Sequence, residues 1–262
     1  MTQQPLPEPT PARYQRSITD VISSPAPGQI PFSVEFMPPR NDEAETRLRT
    51  AAETFHDLGV AFVSVTYGAG GSSRDRTMRI AQDLARMPLT TLVHLTLVGH
   101  TEAELVEILS DYASLGLSNL LALRGDPPGA DPLGEWTPVP GGYRYAEELI
   151  WLTKRLEATK HFQVGIAAFP EGHHQSESLA ADTKYTLAKL RAGAEFSITQ
   201  MFFDVDYYLR LRDRLAAADA ELGSRPIIPG IMPITSLKSV RRQLQLSGAK
   251  LPARLEERLV AA

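Results

Sequence analysis

The amino-acid sequence predicts an α/β fold of the (β/α)8, TIM-type barrel class, with the eighth βα unit missing from these residues. Three observations predict it. Short apolar, β-branched runs alternate with amphipathic stretches, as parallel βαβ units require. The starts of the runs recur about every 30 residues, the length of one such unit. Polar residues collect at the ends of the runs: Glu35, Thr66, Arg124, Asp126, Glu171, His173 and Gln200 fall at or just beyond the C-terminal ends of five different strands. Groups gathered from many strand ends mark a barrel mouth, whereas the crevice of a doubly wound sheet draws on few.

The expected strands lie near 32–36 (FSVEF), 61–66 (AFVSVT), 91–97 (TLVHLTL), 118–123 (SNLLAL), 163–168 (QVGIAA), 196–200 (FSITQ) and 226–231 (PIIPGI). Helical periodicity runs through 43–58, where Leu48, Ala51, Ala52, Phe55 and Leu58 share a face, and through 102–115, 145–158, 178–192, 205–220 and 235–247. A Pro/Gly-rich insertion, DPPGADPLGEWTPVPGG, lengthens the connection between the fourth and fifth strands. After 235–247, KLPARLEERLVAA reads as one further short helix with no β-branched run behind it. Seven strands where closure needs eight leave a gap between the first and the seventh, with unpaired backbone on both edges. A longer natural chain or a neighbouring subunit is expected to cover it, so a homo-oligomer is among the expected partners. Residues 1–30, polar and rich in Pro, are expected to form a flexible lead-in to a catalytic domain over 31–262.

Alternation within strands orients the side chains. In the first strand Phe32, Val34 and Phe36 share one face, and Ser33 and Glu35 the other. In the third, Val93, Leu95 and Leu97 alternate with His94 and Thr96. The apolar sets are expected to face the helices, and the polar sets the barrel interior near its mouth.

Composition excludes several classes. The 262 residues carry a formal charge of −4, without the basic face that a nucleic-acid partner needs. With no cysteine there is no disulfide framework, thiolate metal site or cysteine nucleophile. Apolar runs such as 120–123 and 226–233 are far too short to span a bilayer, and the N-terminus lacks a secretory pattern. A cytoplasmic protein is expected.

Glu35 is the most informative residue. A carboxylate inside FSVEFMPP is costly to bury without a role or a partner. Partial burial raises its pKa, which is what a general acid requires near neutral pH. In NLLALRGD, Arg124 and Asp126 follow an apolar strand, with Gly125 free to turn tightly or approach a ligand. TYGAGGSS (66–73) has the look of a phosphate loop but lacks the third glycine of the dinucleotide fingerprint, and reads better as an active-site loop. Glu171, His173 and His174 in FPEGHH invite a metal reading, but no convincing further ligand stands out. No metal is expected; a His that bonds a phosphate or an amide fits better.

Together EFMPPR (35–40), SVTYGAGGSSRDRT (64–77), LVHLT (92–96), LALRGDPP (121–128), AAFPEGH (167–173), AGAEFSITQMFFD (192–204) and PIIPGIMPI (226–234) resemble the methylenetetrahydrofolate reductases, bacterial type, without a regulatory domain. The resemblance implies a barrel holding FAD at its mouth. It implies reduction of 5,10-methylenetetrahydrofolate to 5-methyltetrahydrofolate, with NADH or NADPH as donor, in one-carbon metabolism and methionine supply. Glu35 matches the family's general acid. Asp126 matches the aspartate near the flavin and the pterin, and Gln200 the glutamine that bonds the pterin. Thr66, Tyr67, Ala69, His94, Arg124 and Gly125 match flavin-holding positions. Tyr145, Ala146, Phe169, His173, Asp182 and Lys189 do the same beyond the insertion.

There are departures. Phe169 stands where many members have Tyr, Tyr185 and Ala188 stand where some have an amide and an arginine, and Met37 and Met201 replace aromatics. The final unit of the barrel, which contributes folate contacts in the family, is missing. A flavin-independent reductase of the same family and a non-catalytic folate- or flavin-binding paralogue are the alternatives these departures keep open.

Overall fold

The computed structural model describes residues 15–25, 28–67, 74–126 and 137–261. Among these, seven parallel strands form one sheet: β1 (Ser33–Phe36), β2 (Phe62–Val65), β3 (Thr91–Thr96), β4 (Asn119–Leu123), β5 (Gln163–Ala168), β6 (Phe196–Thr199) and β7 (Ile227–Ile228), in the order β1 to β7. The helices are α1 (Ile18–Ser23), α2 (Asp42–Asp57), α3 (Arg74–Ala85), α4 (Glu102–Ser114), α5 (Ala146–Arg155), α6 (Leu179–Arg191), α7 (Val205–Ala218), α8 (Leu237–Ser247) and α9 (Ala253–Ala261). The helices start where short polar side chains can satisfy free N–H groups. Asn41, Ser178, Asp204 and Ser236 cap α2, α6, α7 and α8 in this way, and Thr101 with Glu104 forms a capping box on α4.

Side-chain alternation sends one apolar set outward to the helices, as expected, and a second apolar set inward, where polar residues alone were expected. Val93, Leu95, Leu120, Ala122, Val164 and Ile166 point outward and pack with Leu105, Ile108, Leu149 and Leu187 of the helices. Val34 and Phe36 pack outward with Leu48, Ala52, Ile80 and Leu84. Phe62, Leu92, Leu121 and Phe196 point inward into one cluster with Ile18 and Val21. In a flat sheet β2 and β6 would lie about 19 Å apart; a shared inner cluster requires the sheet to curl. Gly165 makes room inside it, because a Cβ there would lie 2.4 Å from the Phe196 ring.

The N-terminal stretch differs from expectation. Residues up to Ile30 read as an irregular lead-in, yet 18–23 form α1, which plugs the N-terminal end of the barrel. Ile18 is fully buried. Its N–H donates to Asn119 Oδ1 at 3.2 Å, and the Thr19 N–H donates to Gln163 Oε1 at 2.9 Å. Gln163 Nε2 returns a bond to Thr19 Oγ1 at 2.6 Å. One turn and a half is too short to show periodicity, so the helix is stabilised by its socket rather than by its own sequence.

Among the described residues β1 pairs only with β2 and β7 only with β6, which leaves the expected seam. β7 is shorter than the expected 226–231. Pro226 and Pro229 cannot donate to a ladder, and the Gly230 N–H turns to Thr199 Oγ1 at 2.9 Å.

Candidate active site at the barrel mouth

Two groups of polar side chains meet at the C-terminal ends of the strands. The first joins β1 and β3. Glu35 Oε2 and His94 Nε2 are 3.7 Å apart. They reach each other across Ser64 of β2, the register partner of Glu35 and small enough to leave the space open. His94 is 5% exposed, and burial lowers its pKa to about 4, so the ring is neutral at pH 7. Among the described residues its Nε2 has no hydrogen-bond partner. The Glu35 side chain keeps 55% exposure toward the open mouth, yet desolvation by the surrounding wall raises its pKa. Thr66 ties β1 to β2: its N–H donates to Phe36 O at 3.0 Å and its hydroxyl to the same oxygen at 3.4 Å.

The second group links β4, the β5–α6 loop and α6. Arg124 Nη1 donates to Gln175 Oε1 at 2.6 Å. The Gln175 N–H donates to His173 Nδ1 at 3.1 Å, which makes Nδ1 the acceptor and puts the ring proton on Nε2. Burial, aided by the charges of Arg124 and Lys189, holds the His173 pKa down to about 4. The His173 N–H donates to Asp182 Oδ1 at 3.1 Å, and Ser176 Oγ to the same oxygen at 3.3 Å. Asp182 Oδ2 is buried without a hydrogen-bond partner among the described residues. Lys189 Nζ donates to Ala167 O at 2.9 Å; burial lowers its pKa to about 8, with Asp182 pulling the other way. Phe169 stacks edge-on against His173 at 4.6 Å between centroids.

Gly125, between Arg124 and Asp126, adopts φ +89°, and a Cβ there would come within 2.8 Å of Thr96 Cβ. Asp126 is exposed and attracts Arg124. Gln200 closes the arc at the end of β6, where its N–H donates to Ala168 O at 2.8 Å and its Oε1 accepts from Met201 N at 2.9 Å. Tyr145, the N-cap of α5, is 61% exposed, and Ala146 follows it as the first helical residue. The Tyr67 side chain does not face the mouth. It lies in the outer core with its hydroxyl 3.0 Å from His100 Nε2, so its ring is turned away from the mouth. Ala69 lies outside the described residues.

Two participants carried no signal in the sequence. Gln175, which bridges Arg124 to His173, is one residue of an irregular loop. Lys250 is the other: its N–H donates to Glu171 Oε1 at 2.9 Å. Glu171 is therefore engaged by the α8–α9 turn. Among the described residues no three His, Asp or Glu side chains are placed to hold a metal ion.

The sequence profile of a family described as methylenetetrahydrofolate reductase matches residues 20–262. The chain belongs to that family. The 5,10-methylenetetrahydrofolate reductase of Escherichia coli K12 is 38% identical over 228 residues, covering 86% of this chain and 72% of that one. Methylenetetrahydrofolate reductase 2 of Saccharomyces cerevisiae is 33% identical over 237 residues, covering 88% of this chain and 38% of that one. A solved structure from Clostridium thermocellum, described as binding two copies of 5-methyl-5,6,7,8-tetrahydrofolic acid, superposes with a TM-score of 0.61 at 14% identity. It covers 88% of this chain and 76% of that chain, and supports the barrel fold.

Proposed function

We propose that the protein reduces 5,10-methylenetetrahydrofolate to 5-methyltetrahydrofolate with NADH or NADPH, through FAD held at the mouth. The observation that carries this reading is the Glu35–His94 pair: a carboxyl group with a raised pKa, open to the mouth, beside a neutral imidazole. A carboxylic acid there can protonate the folate nitrogen as the five-membered ring opens, leaving a carbon that accepts hydride. Glu35 is then an anion facing the mouth, where water can return its proton.

The residues present fit FAD. His94 Nε2 and Asp182 Oδ2 are buried polar atoms awaiting a partner, as a site built for a polar ligand leaves them. Lys189, protonated below about pH 8, and the Nε2–H of His173 supply a cation and a donor for phosphate. Gly125, at φ +89° against Thr96, lets the chain turn tightly between Arg124 and Asp126. When bound, FAD supplies the two-electron relay between nicotinamide and folate. Asp126 and Gln200, beyond β4 and β6 on either side of β5, orient the pterin.

A flavin-independent form of the same reaction is the second reading. It is favoured by Phe169, Tyr185 and Ala188, which remove a hydroxyl, an amide and a cation from the expected flavin wall. The visible spectrum of the purified protein separates the two. A bound flavin that NADH bleaches and methylenetetrahydrofolate recolours, without oxygen, supports the first. Turnover with no flavin supports the second. Absence of turnover with added FAD and either nicotinamide overturns both.

A further inference from the structure

One turn joins three of the segments that rim the mouth. β3 and β4 keep pairing beyond their strands: the Leu97 N–H donates to Leu123 O at 3.2 Å and the Val98 N–H to Arg124 O at 2.9 Å. The chain then reverses. The His100 N–H donates to Leu97 O at 3.1 Å, and Gly99 adopts φ +81°, the left-handed value that a type II turn places at its third residue. The first half of the turn is thus bonded to the backbone of Arg124, and its reversal buries His100, which is 7% exposed.

On one side His100 meets Tyr67. Their rings stand edge to face with centroids 5.7 Å apart, and the Tyr67 hydroxyl is hydrogen-bonded to His100 Nε2 at 3.0 Å. Tyr67 is buried as well. It follows Thr66, whose N–H is bonded to Phe36 O, so the contact fixes the chain where β2 ends. On the other side the turn meets the end of the insertion that leads into α5. Thr101 and Gly142 form an antiparallel bridge, and the Glu102 N–H donates to Gly141 O at 2.9 Å. A Cβ on Gly142 would lie 2.6 Å from His100 O, so only glycine lets the two backbones come this close. The Tyr143 hydroxyl is bonded to the Glu102 carboxylate, and Tyr145, the N-cap of α5, follows two residues later.

We propose that His100 is a positioning residue for the cofactor wall: its bond to Tyr67 locks the end of β2 onto the turn that also holds the backbone of Arg124 and the approach to Tyr145. The inference rests on the proposed reductase reading for the identity of the cofactor. Thr66, Arg124 and Tyr145 stand on three separate segments, and the turn around His100 is bonded to all three. The Tyr67 ring, turned away from the mouth, then serves the site from behind. Removing either partner leaves a buried polar atom of the other without this bond, so the pair acts as a unit.

The test compares Tyr67→Phe, which removes only a hydroxyl, with His100→Leu, the double variant, and His100→Gln, whose side-chain amide can both donate and accept. Amide hydrogen exchange is read without cofactor, and the dissociation constant of FAD is read by fluorescence. Both single variants should exchange faster at Thr66, Val98 and Glu102, while the amides of β5 and β6 keep their rates. FAD binding should weaken about three- to tenfold in each. The double variant should lose no more than the worse single one, and His100→Gln should restore most of the loss. Unchanged FAD binding in both single variants overturns the positioning role, while binding by the wild-type protein leaves the flavin reading standing. Losses that multiply in the double variant, or exchange that quickens evenly across the barrel, also overturn it, because the residues then act separately or through global stability alone. If the wild-type protein binds no FAD, the flavin reading falls and exchange decides the link. Acceleration confined to those three amides, common to both single variants and relieved by His100→Gln, then supports it. Rates unchanged, or raised everywhere, overturn it.

Discussion

His94 Nε2 stands 3.7 Å from Glu35 Oε2, and burial opposes charge on both groups. The imidazole, at about 4, stays neutral through the physiological range, so it does not pull the carboxyl pKa down as an imidazolium would. The raised pKa of Glu35 and the neutrality of His94 are thus one arrangement, in which a small Ser64 lets two strands cooperate across a third.

Glu35→Gln is expected to leave reduction of the flavin by NADH intact and to slow its reoxidation by methylenetetrahydrofolate about 10²–10⁴-fold. Stopped-flow absorbance of the two half-reactions checks it. Equal losses in both would make Glu35 a structural residue.

Lys189 sets a pH dependence. Burial lowers its pKa from 10.5 to about 8, so the ammonium is present below that value and lost above it. Affinity for an anionic flavin should fall as pH rises through 8, by up to about tenfold per unit, until the pKa of the complex is reached. Without flavin the sign reverses for stability: between 8 and 10.5 the unfolded chain holds the proton that the folded one releases, so stability rises with pH. Fluorescence titration of FAD at several pH values, with Lys189→Met as the flat reference, checks the first.

Ala188→Arg is expected to tighten FAD severalfold if position 188 faces the phosphates, by adding a charge-assisted contact beside Lys189. Dissociation constants measured by flavin fluorescence decide it, and an unchanged value places residue 188 away from the ligand.

Ile18→Ala should cost about 2–5 kcal/mol, because the side chain is fully buried among Phe62, Leu92, Leu121 and Phe196. Gly165→Ala should cost about 1–3 kcal/mol by crowding the Phe196 ring, and Phe196→Leu should recover part of that loss. Urea unfolding of the single and double variants measures both.

The barrel and most of the mouth were legible because they are written in short-range patterns. Alternation in FSVEF and TLVHLT placed Glu35 and His94 on the inner face, and the structure puts them 3.7 Å apart. Asp182 and Lys189 came from the resemblance, since one helix turn among many shows no chemistry. What escaped depends on contacts remote in sequence. α1 is a helix because Asn119 and Gln163 receive its N–H groups, and neither is visible from ITDVIS. Gln175 matters because Arg124, 51 positions earlier, ends beside it. Tyr67 sits among matching residues, but its ring follows the outer core to His100.

The seam between β1 and β7 divides the mouth by rigidity. Among the described residues β1, which carries Glu35, has a ladder on one side only, whereas Arg124 and His173 follow β4 and β5, each paired on both sides. Amide hydrogen exchange should therefore be slowest in β3 to β5 and fastest in β1 and β7. The proposed proton donor would then move on the most yielding stave of the barrel, while the groups proposed to hold phosphate stay on the stiffest, so that one wall can breathe and the other keeps its grip.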